Sequence, residues 1–188
     1  MKNRLKIMAL SLVLSTTAAM AAESLIGIEG SYGKMSVDTE RSNVATNDKV
    51  TLEGGGVKIG AQNDEFRLFL NANYYGSTND HYNHVETYGV ELDYLMKPAT
   101  SFDIYIGVNG GMANIEQIDD LNLKRTSSDP YYGASLGVNM HVSKLIDLEL
   151  GGRMLFLDIS NTRNNVKYTY NSIASAYASV IFKFNMEE

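Results

Sequence analysis

The sequence predicts an all-β fold, an eight-stranded antiparallel up-and-down transmembrane β-barrel. Apolar and polar side chains alternate along eight segments of about 10–13 residues, close to the length that a strand needs to cross a membrane. Long and short connections alternate between these segments, and aromatic side chains gather near both ends of the apolar faces. A closed sheet leaves no strand edge in a bilayer, where unpaired backbone groups are costly.

Composition excludes several other classes of protein. A length of 188 residues indicates one domain, or two small ones at most. The chain has no cysteine, so it cannot form a disulfide, a thiolate zinc site or a cysteine nucleophile. Its formal net charge of -6 argues against a nucleic-acid-binding surface, so we expect no nucleic acid partner. The sequence has no cofactor motif, and we expect no cofactor.

The beginning of the chain has the three parts of a secretory signal peptide. Three of the first six residues are basic, an apolar run covers 7–14, and Ala19-Met20-Ala21 has the small residues of a cleavage site. The apolar run is too short to cross a membrane as a helix. We therefore predict cleavage after Ala21, with 1–21 as the signal peptide and 22–188 as the barrel domain.

Regular alternation predicts most of the strands directly. In 101–112, for example, Ile104, Ile106 and Val108 share one face, whereas Asp103 shares the other with further polar residues. Because successive side chains of a strand point to opposite faces, each strand has an apolar and a polar side. The same alternation is found in 66–75, 85–96, 131–142 and 146–156, and less cleanly in 25–35 and 172–184.

The remaining strand, 50–61, contains an irregularity. Its apolar positions are first Val50 and Leu52 and then Val57 and Ile59, which is a change of phase. Three consecutive glycines lie between the two pairs. Glycine inside a strand often marks a β-bulge, which inserts one residue and reverses the phase. We therefore predict a β-bulge at the triple glycine.

The connections are of two kinds, as in transmembrane barrels with short turns on one side and longer loops on the other. If the first strand runs outward, the long connections are all on the outside. Pro98 lies in a short turn and Pro130 opens a strand, so neither interrupts a hydrogen-bonded ladder. Long connections are predicted over 37–49, 77–84, 113–129 and 158–170, and short ones over 62–65, 97–100 and 143–145.

Aromatic side chains on the apolar faces form two girdles around an aliphatic band, which is typical of a membrane barrel. A soluble lipocalin-like barrel, with its apolar face inside, is the alternative. It does not account for the two girdles or for the asymmetry of the loops. The outer girdle is predicted from Tyr32, Tyr74, Tyr88, Tyr132 and Phe156, and the inner one from Phe66, Tyr94, Phe102 and Phe182 or Phe184.

These features together resemble the OmpA/OmpX-type family of eight-stranded outer-membrane β-barrels. The resemblance rests on the signal peptide, the amphipathic strands, the loop asymmetry and the closing segment 179–184, and it covers essentially the whole mature chain. Members of that family usually end on an aromatic residue, whereas this chain continues through Asn185, Met186, Glu187 and Glu188.

The resemblance implies a location and partners. It implies a place in the outer membrane of a Gram-negative bacterium, surrounded by lipid and lipopolysaccharide, and insertion by the barrel assembly machinery. It also implies a structural or surface role, in which loops 37–49 and 113–129 contact a host or cell-surface ligand. A closed barrel needs no oligomerisation, so we expect a monomer.

Charged side chains on the inward faces predict an ion-pair network in the lumen, because buried charges must be paired. Hairpin register places Arg67 opposite Asp93, and Asp93 opposite Asp103, so that Arg67 bridges two carboxylates. Glu53, Lys58 and Lys183 are also predicted to point inward. The predicted network consists of Glu29, Arg67, Glu91, Asp93, Asp103, Asp147, Glu149 and Arg153.

Two interpretations of this network remain open. It is a structural plug in a lumen that side chains fill, or it is the gate of a narrow, porin-like path for ions or small solutes. Conductance of the protein and of Arg67→Ala distinguishes the two.

An enzyme is the third possibility, because His141-Val142-Ser143 is similar to the His-x-Ser pair of lipid A deacylases of the outer membrane. The topology places this pair at an inner turn, far from the outer leaflet where such enzymes act. We therefore expect no catalytic activity. His81 and His84 in the second long loop lack further metal ligands at a suitable spacing, so we predict no metal site.

Overall fold

Eight strands close into one antiparallel barrel. The structure, a computed structural model, describes residues 23–41, 44–77, 82–118, 124–163 and 166–185. Each strand pairs with its neighbours in sequence, and the last pairs with the first, which confirms the predicted fold class. No helix in these ranges is long and apolar enough to span a membrane. The strands are β1 Glu23–Arg41, β2 Val44–Gln62, β3 Phe66–Ser77, β4 Tyr82–Ala99, β5 Phe102–Ile118, β6 Lys124–His141, β7 Ile146–Arg163 and β8 Val166–Asn185.

Most strands are much longer than predicted. All but β3, which has 12 residues, have 17 to 20. They continue through most of the predicted loops 37–49, 113–129 and 158–170, so those three loop predictions are wrong. The predicted signal peptide lies outside the described residues. We call the strand residues beyond the outer aromatic girdle the outer extension, and the opposite end of the barrel the inner mouth.

The apolar face of a strand reverses where the outer extension begins, as β1 shows. On β1, Ile26 and Ile28 point outward and are 48% and 55% exposed, whereas Met35 and Val37 point inward and are fully buried. Lipid around the lower part favours apolar side chains outside, and water around the outer extension favours them inside. The predicted loops are therefore strands with their polar side facing water.

This reversal, and not a bulge, explains the change of phase in β2. Its pairing with β1 and β3 runs through Gly54 and Gly56 without a shift, so the predicted bulge is wrong. Glycine is needed there for close packing: a Cβ atom on Gly54 would lie 2.0 Å from the carbonyl oxygen of Tyr74. The shifts in register lie elsewhere, including one beside Asn171 of β8.

Two belts of exposed aromatic side chains surround the barrel. In the outer belt the rings of Tyr132 and Phe156 stack at 5.4 Å, and in the inner belt those of Phe66 and Tyr94 lie 5.5 Å apart. The band between them is aliphatic. The other exposed aromatics are Tyr32, Tyr74 and Tyr88 at the outer belt and Phe182 and Phe184 at the inner one, and Phe102 is half-buried.

Candidate functional site: a charged lumen below an apolar seal

Arg67 on β3 stands at the centre of a charged layer inside the barrel. Its Nη2 atom lies 2.9 Å from Oδ2 of Asp93 on the neighbouring β4 and 2.5 Å from Oε2 of Glu149 on β7, across the lumen. Its Nε also donates to Asp93, at 2.9 Å. The guanidinium lies over the rings of Phe69 and Tyr105, at 4.9 and 4.8 Å. Ion pairs and ring contacts on all sides fix this side chain in one position.

The second predicted partner of the arginine was wrong. Asp93 faces Gly107 in the register of β4 and β5, and not Asp103, because the hairpin turns at 100–101 instead of near Pro98. A Cβ atom on Gly107 would lie 2.1 Å from Oδ1 of Asp93, so glycine leaves the space that this carboxylate occupies. Because the β4–β5 turn lies away from its predicted position, Asp103 does not contact Arg67.

Two further cations extend the charged layer. Arg153 contacts Glu29 at 2.9 Å and Glu91 at 3.1 Å. Lys58 lies 2.6 Å from Glu149 and 3.7 Å from Glu29, and so it connects the two arginine clusters. The sequence placed Lys58 inside without assigning it to the network. The charged layer consists of Lys58, Arg67, Arg153, Glu29, Glu91, Asp93 and Glu149.

The charged layer is closed to water and its charges are paired. All seven side chains are at most 2% exposed. Each carboxylate meets at least one cation, as burial of charge in a low dielectric requires. Glu91 also accepts a hydrogen bond from Ser135 at 3.1 Å. The arrangement braces five strands through the lumen.

Asp103 and Asp147 belong to a second cluster, at the inner mouth. They lie on either side of His141, with Oδ2 of Asp103 at 3.3 Å from Nε2 and Oδ1 of Asp147 at 3.0 Å from Nδ1. Lys183 contacts Asp147 at 2.9 Å, and Asn139 donates to it at 2.8 Å. The cluster borders an open mouth with a cavity volume of about 730 Å³. Six of the eight predicted residues thus share the charged layer, and two lie below it.

The pair His141 and Ser143 does not have the geometry of a catalytic dyad. Both ring nitrogens of His141 face carboxylates, whereas Ser143 lies exposed in the turn and accepts a hydrogen bond from the backbone of Leu145 at 3.2 Å. A nucleophile needs its base within hydrogen-bond reach. The arrangement therefore does not fit the deacylase alternative.

Glu53 and His84 lie on the outside of the barrel. Glu53 is exposed, so its predicted inward position is wrong, because β2 keeps its phase through the glycines. His84 stacks on Tyr74 at 5.0 Å and lies 3.6 Å from Glu86. His81 falls outside the described residues. Within the described ranges no group of side chains could hold a metal ion.

An apolar layer closes the lumen on the outer side of the charged layer. It has thirteen buried residues, which come from all eight strands and are at most 7% exposed. The sequence analysis missed this layer, although the reversed alternation in β2 was its signal. We call it the apolar seal, and it consists of Met35, Val37, Val50, Leu52, Tyr75, Val85, Ala113, Ile115, Tyr131, Leu155, Leu157, Tyr170 and Ile173.

Comparison with known proteins gives the same architecture. The family model described as outer membrane protein beta-barrel domain matches residues 7–182. Neisserial surface protein A has a TM-score of 0.64 at 15% identity, with 86% of this chain and 97% of that chain covered. The outer membrane protein OprG from Pseudomonas aeruginosa has a TM-score of 0.63 at 13% identity, covering 88% and 97%.

A further similar structure is Ail, the attachment invasion locus protein of Yersinia pestis. Its TM-score is 0.52 at 12% identity, with 88% of this chain and 100% of that chain covered. At such identities the likeness shows the fold alone. No curated protein matches the sequence.

Proposed function

Since the chain belongs to the family of the outer membrane protein beta-barrel domain, we propose that it is a closed, non-conducting barrel whose outer extension is a contact surface for other molecules. The protein resides in the cell outer membrane, as the family shows. The proposal concerns what the barrel does there.

The apolar seal is the observation that carries the proposal. An ion that crosses the barrel would have to leave water and pass thirteen buried side chains, of which the three tyrosines alone carry a polar group, at a cost of several kcal/mol or more. Below the seal, the charged layer fills the lumen with paired side chains. Two successive barriers, the apolar seal and the charged layer, favour a structural scaffold over a path for ions or small solutes.

The outer extension has the rigidity that a contact surface needs. Beyond Tyr32, β1 continues for nine residues to Arg41, paired with β2 on one side and β8 on the other. At about 3.3 Å per residue and a tilt of about 40°, the extension rises roughly 20 Å above the outer girdle. Lys34, Lys49 and Glu53 are exposed on its outer face. A rigid scaffold that carries variable polar groups is the usual arrangement for recognition.

Ail is named for attachment and invasion. The likeness to it lies in the fold, so support for a surface role comes from the outer extension itself. We propose that the partner is a host or cell-surface molecule. Contact with lipopolysaccharide and insertion by the barrel assembly machinery are expected from the location in the outer membrane.

Two measurements test the proposal. Purified protein should be silent in planar bilayers, and stepwise currents would contradict it. Replacement of 115–127 by Asn-Gly, which joins the paired residues Asn114 and Ser128 through a two-residue hairpin turn, should lower the attachment of displaying cells to cultured host cells. Lys97→Ala at the inner mouth is the control, because it leaves the outer extension intact.

A narrow pore is the second candidate, and the open cavity at the inner mouth favours it. In that case the charged layer is the gate, and Arg67→Ala should raise the conductance several-fold. Equal silence of the parent protein and of the Arg67→Ala variant would remove this candidate.

A further inference from the structure

The wall of the outer extension is interrupted between β6 and β7. Their ladder ends at the pair Tyr131 and Leu157, although both strands continue outward. Above that pair, β6 remains paired with β5 as far as Lys124, and β7 remains paired with β8 as far as Arg163. Among the described residues, β6 and β7 therefore each have one edge without a strand partner. We call this interruption the β6–β7 seam.

The local sequence explains why the ladder ends there. Pro130 is the next residue of β6 beyond Tyr131 in the outward direction, and its backbone nitrogen has no hydrogen to donate. On β7, the register with β8 shifts between Phe156 and Ile159, which turns the strand at the same level. A missing donor on one strand and an irregularity on the other together separate the edges.

The two members of the apolar seal at the base of the seam are also the most exposed of its described members. Leu157 and Tyr131, which flank the base of the seam, are 7% and 5% exposed. The other eleven members of the seal that the structure describes are at most 2% exposed. The seam is thus a strand edge in water with two residues of the apolar seal at its base.

We propose that the β6–β7 seam binds an extended segment of another polypeptide, which pairs with the free edge of β7 as an additional strand. A strand edge offers a row of backbone donors and acceptors that an extended backbone matches. Of the two edges, that of β7 fits better, because 158–163 has no proline, whereas Pro130 interrupts the edge of β6. The inference rests on the proposed surface function and gives the chemical class of its partner.

The position of the edge defines the sequence that it accepts. A segment of about six residues covers 158–163. At the end of the segment nearest the membrane, side chains on the inner face would meet Leu157 and Tyr131 and should be apolar, whereas those on the outer face meet water and should be polar. The site therefore selects an extended peptide with alternating apolar and polar residues.

A second copy of the chain does not fit the seam. Two barrels in one membrane both have β7 running outward, each tilted by about 40° to the membrane normal. A twofold axis along the normal makes the two edges cross at roughly 80°, so they cannot run side by side over several residues. A segment of a different polypeptide has no such constraint.

Fluorescence anisotropy of a labelled peptide tests the proposal, with the full chain in lipid nanodiscs. The probe is VKYTYN, a copy of 166–171, because this sequence pairs with β7 on its other side and alternates as required. The control peptide has the same side chains but carries N-methyl groups on alternate residues, which remove backbone donors. We expect saturable binding of the probe and at least tenfold weaker binding of the control. Equal affinity of the two peptides, or no saturable binding of either, overturns the proposal.

A protein variant locates the binding to the seam. Ser128→Cys on β6 and Ser160→Cys on β7 introduce one thiol on each side of the seam, and the parent chain has no cysteine, so a bis-methanethiosulfonate crosslinker can join the two strands across the gap. The crosslinked variant should lose binding at least tenfold, and reduction, which releases the crosslinker, should restore it. Amide exchange in 158–163 should slow when the probe binds, and slowing only elsewhere contradicts the site. If the probe does not bind but the 115–127 replacement still lowers cell attachment, the proposed surface function is supported and the proposed strand pairing at the seam is wrong.

Discussion

Arg67 and Glu149 lie on opposite walls of the barrel, on β3 and β7, and their side chains meet at 2.5 Å inside the lumen. Neither strand neighbours the other in the sheet. The contact therefore holds the barrel together through its interior, in addition to the ladders that run around its wall. Asp93 and Lys58 continue the brace on either side of the pair.

Removal of the arginine should cost far more than the loss of a surface ion pair. Arg67→Ala leaves Asp93 without its cation and Glu149 with Lys58 alone, and removal of one partner of a buried pair costs about 3–5 kcal/mol. The measurement is the folded fraction on a gel as urea increases. Lys97→Ala breaks an ion pair that is mostly exposed and should cost at most about 1 kcal/mol. Equal losses in both variants would contradict a structural brace.

Gly107 should tolerate no side chain. In Gly107→Ala the new methyl group would lie 2.1 Å from Oδ1 of Asp93 and 2.6 Å from Oγ of Ser135. The carboxylate must then move away from Arg67, and we expect a loss of about 1–3 kcal/mol. Gly30→Ala is the matched control, because a Cβ atom there meets nothing within 4 Å. The same urea titration compares the two, and a Gly107→Ala variant as stable as Gly30→Ala counts against the packing described.

The sequence predicted contacts between neighbours in a hairpin but not contacts across the lumen. Arg67 opposite Asp93 followed from the centre of a single loop. The contact of Arg67 with Glu149 depends on how far the whole sheet is staggered when it closes, which no single hairpin determines. Within a hairpin, the prediction depends on the position of the turn. An error in the position of the β4–β5 turn was enough to assign Asp103 wrongly to Arg67.

The reversal of the apolar face was the second feature that was not predicted from the sequence. The change of phase in β2 was detected, but Val50, Leu52, Val57 and Ile59 were placed on one apolar face by means of a bulge, whereas the first two are buried and the last two are exposed. The interpretation failed because it assumed one apolar side for the whole strand. A strand that leaves the bilayer exchanges lipid for water on its outer side, and its apolar residues then move inward without any bulge.

The apolar seal should stabilise the outer extension in the way that a soluble core does. Leu52 is fully buried in the seal, and its replacement by alanine should cost about 2–5 kcal/mol. Ile59→Ala on the lipid-facing side of the same strand, where Ile59 is 54% exposed, should cost clearly less. Amide exchange in the outer part of β2 reports the effect, and no faster exchange in Leu52→Ala would speak against a packed seal. Conductance should stay silent, because the charged layer remains.

Asp38 should make the outer extension sensitive to acid. It accepts hydrogen bonds from Asn47 on β2 and from Asn171 beside the β8 irregularity, both at 2.6 Å. The bond from Asn47, and then that from Asn171, lowers the pKa of Asp38 below its ordinary value of 3.8. Since the pKa is lower in the folded state, this stabilisation is present above the ordinary value and is lost as the pH falls through the folded pKa. Amide exchange around 171 should therefore accelerate as the pH falls below about 4, after correction for the intrinsic exchange rate. Asp38→Asn should abolish that dependence, whereas Asp48→Asn, which removes a nearby exposed carboxyl, should keep it. An unchanged pH profile in Asp38→Asn would show that another group is responsible.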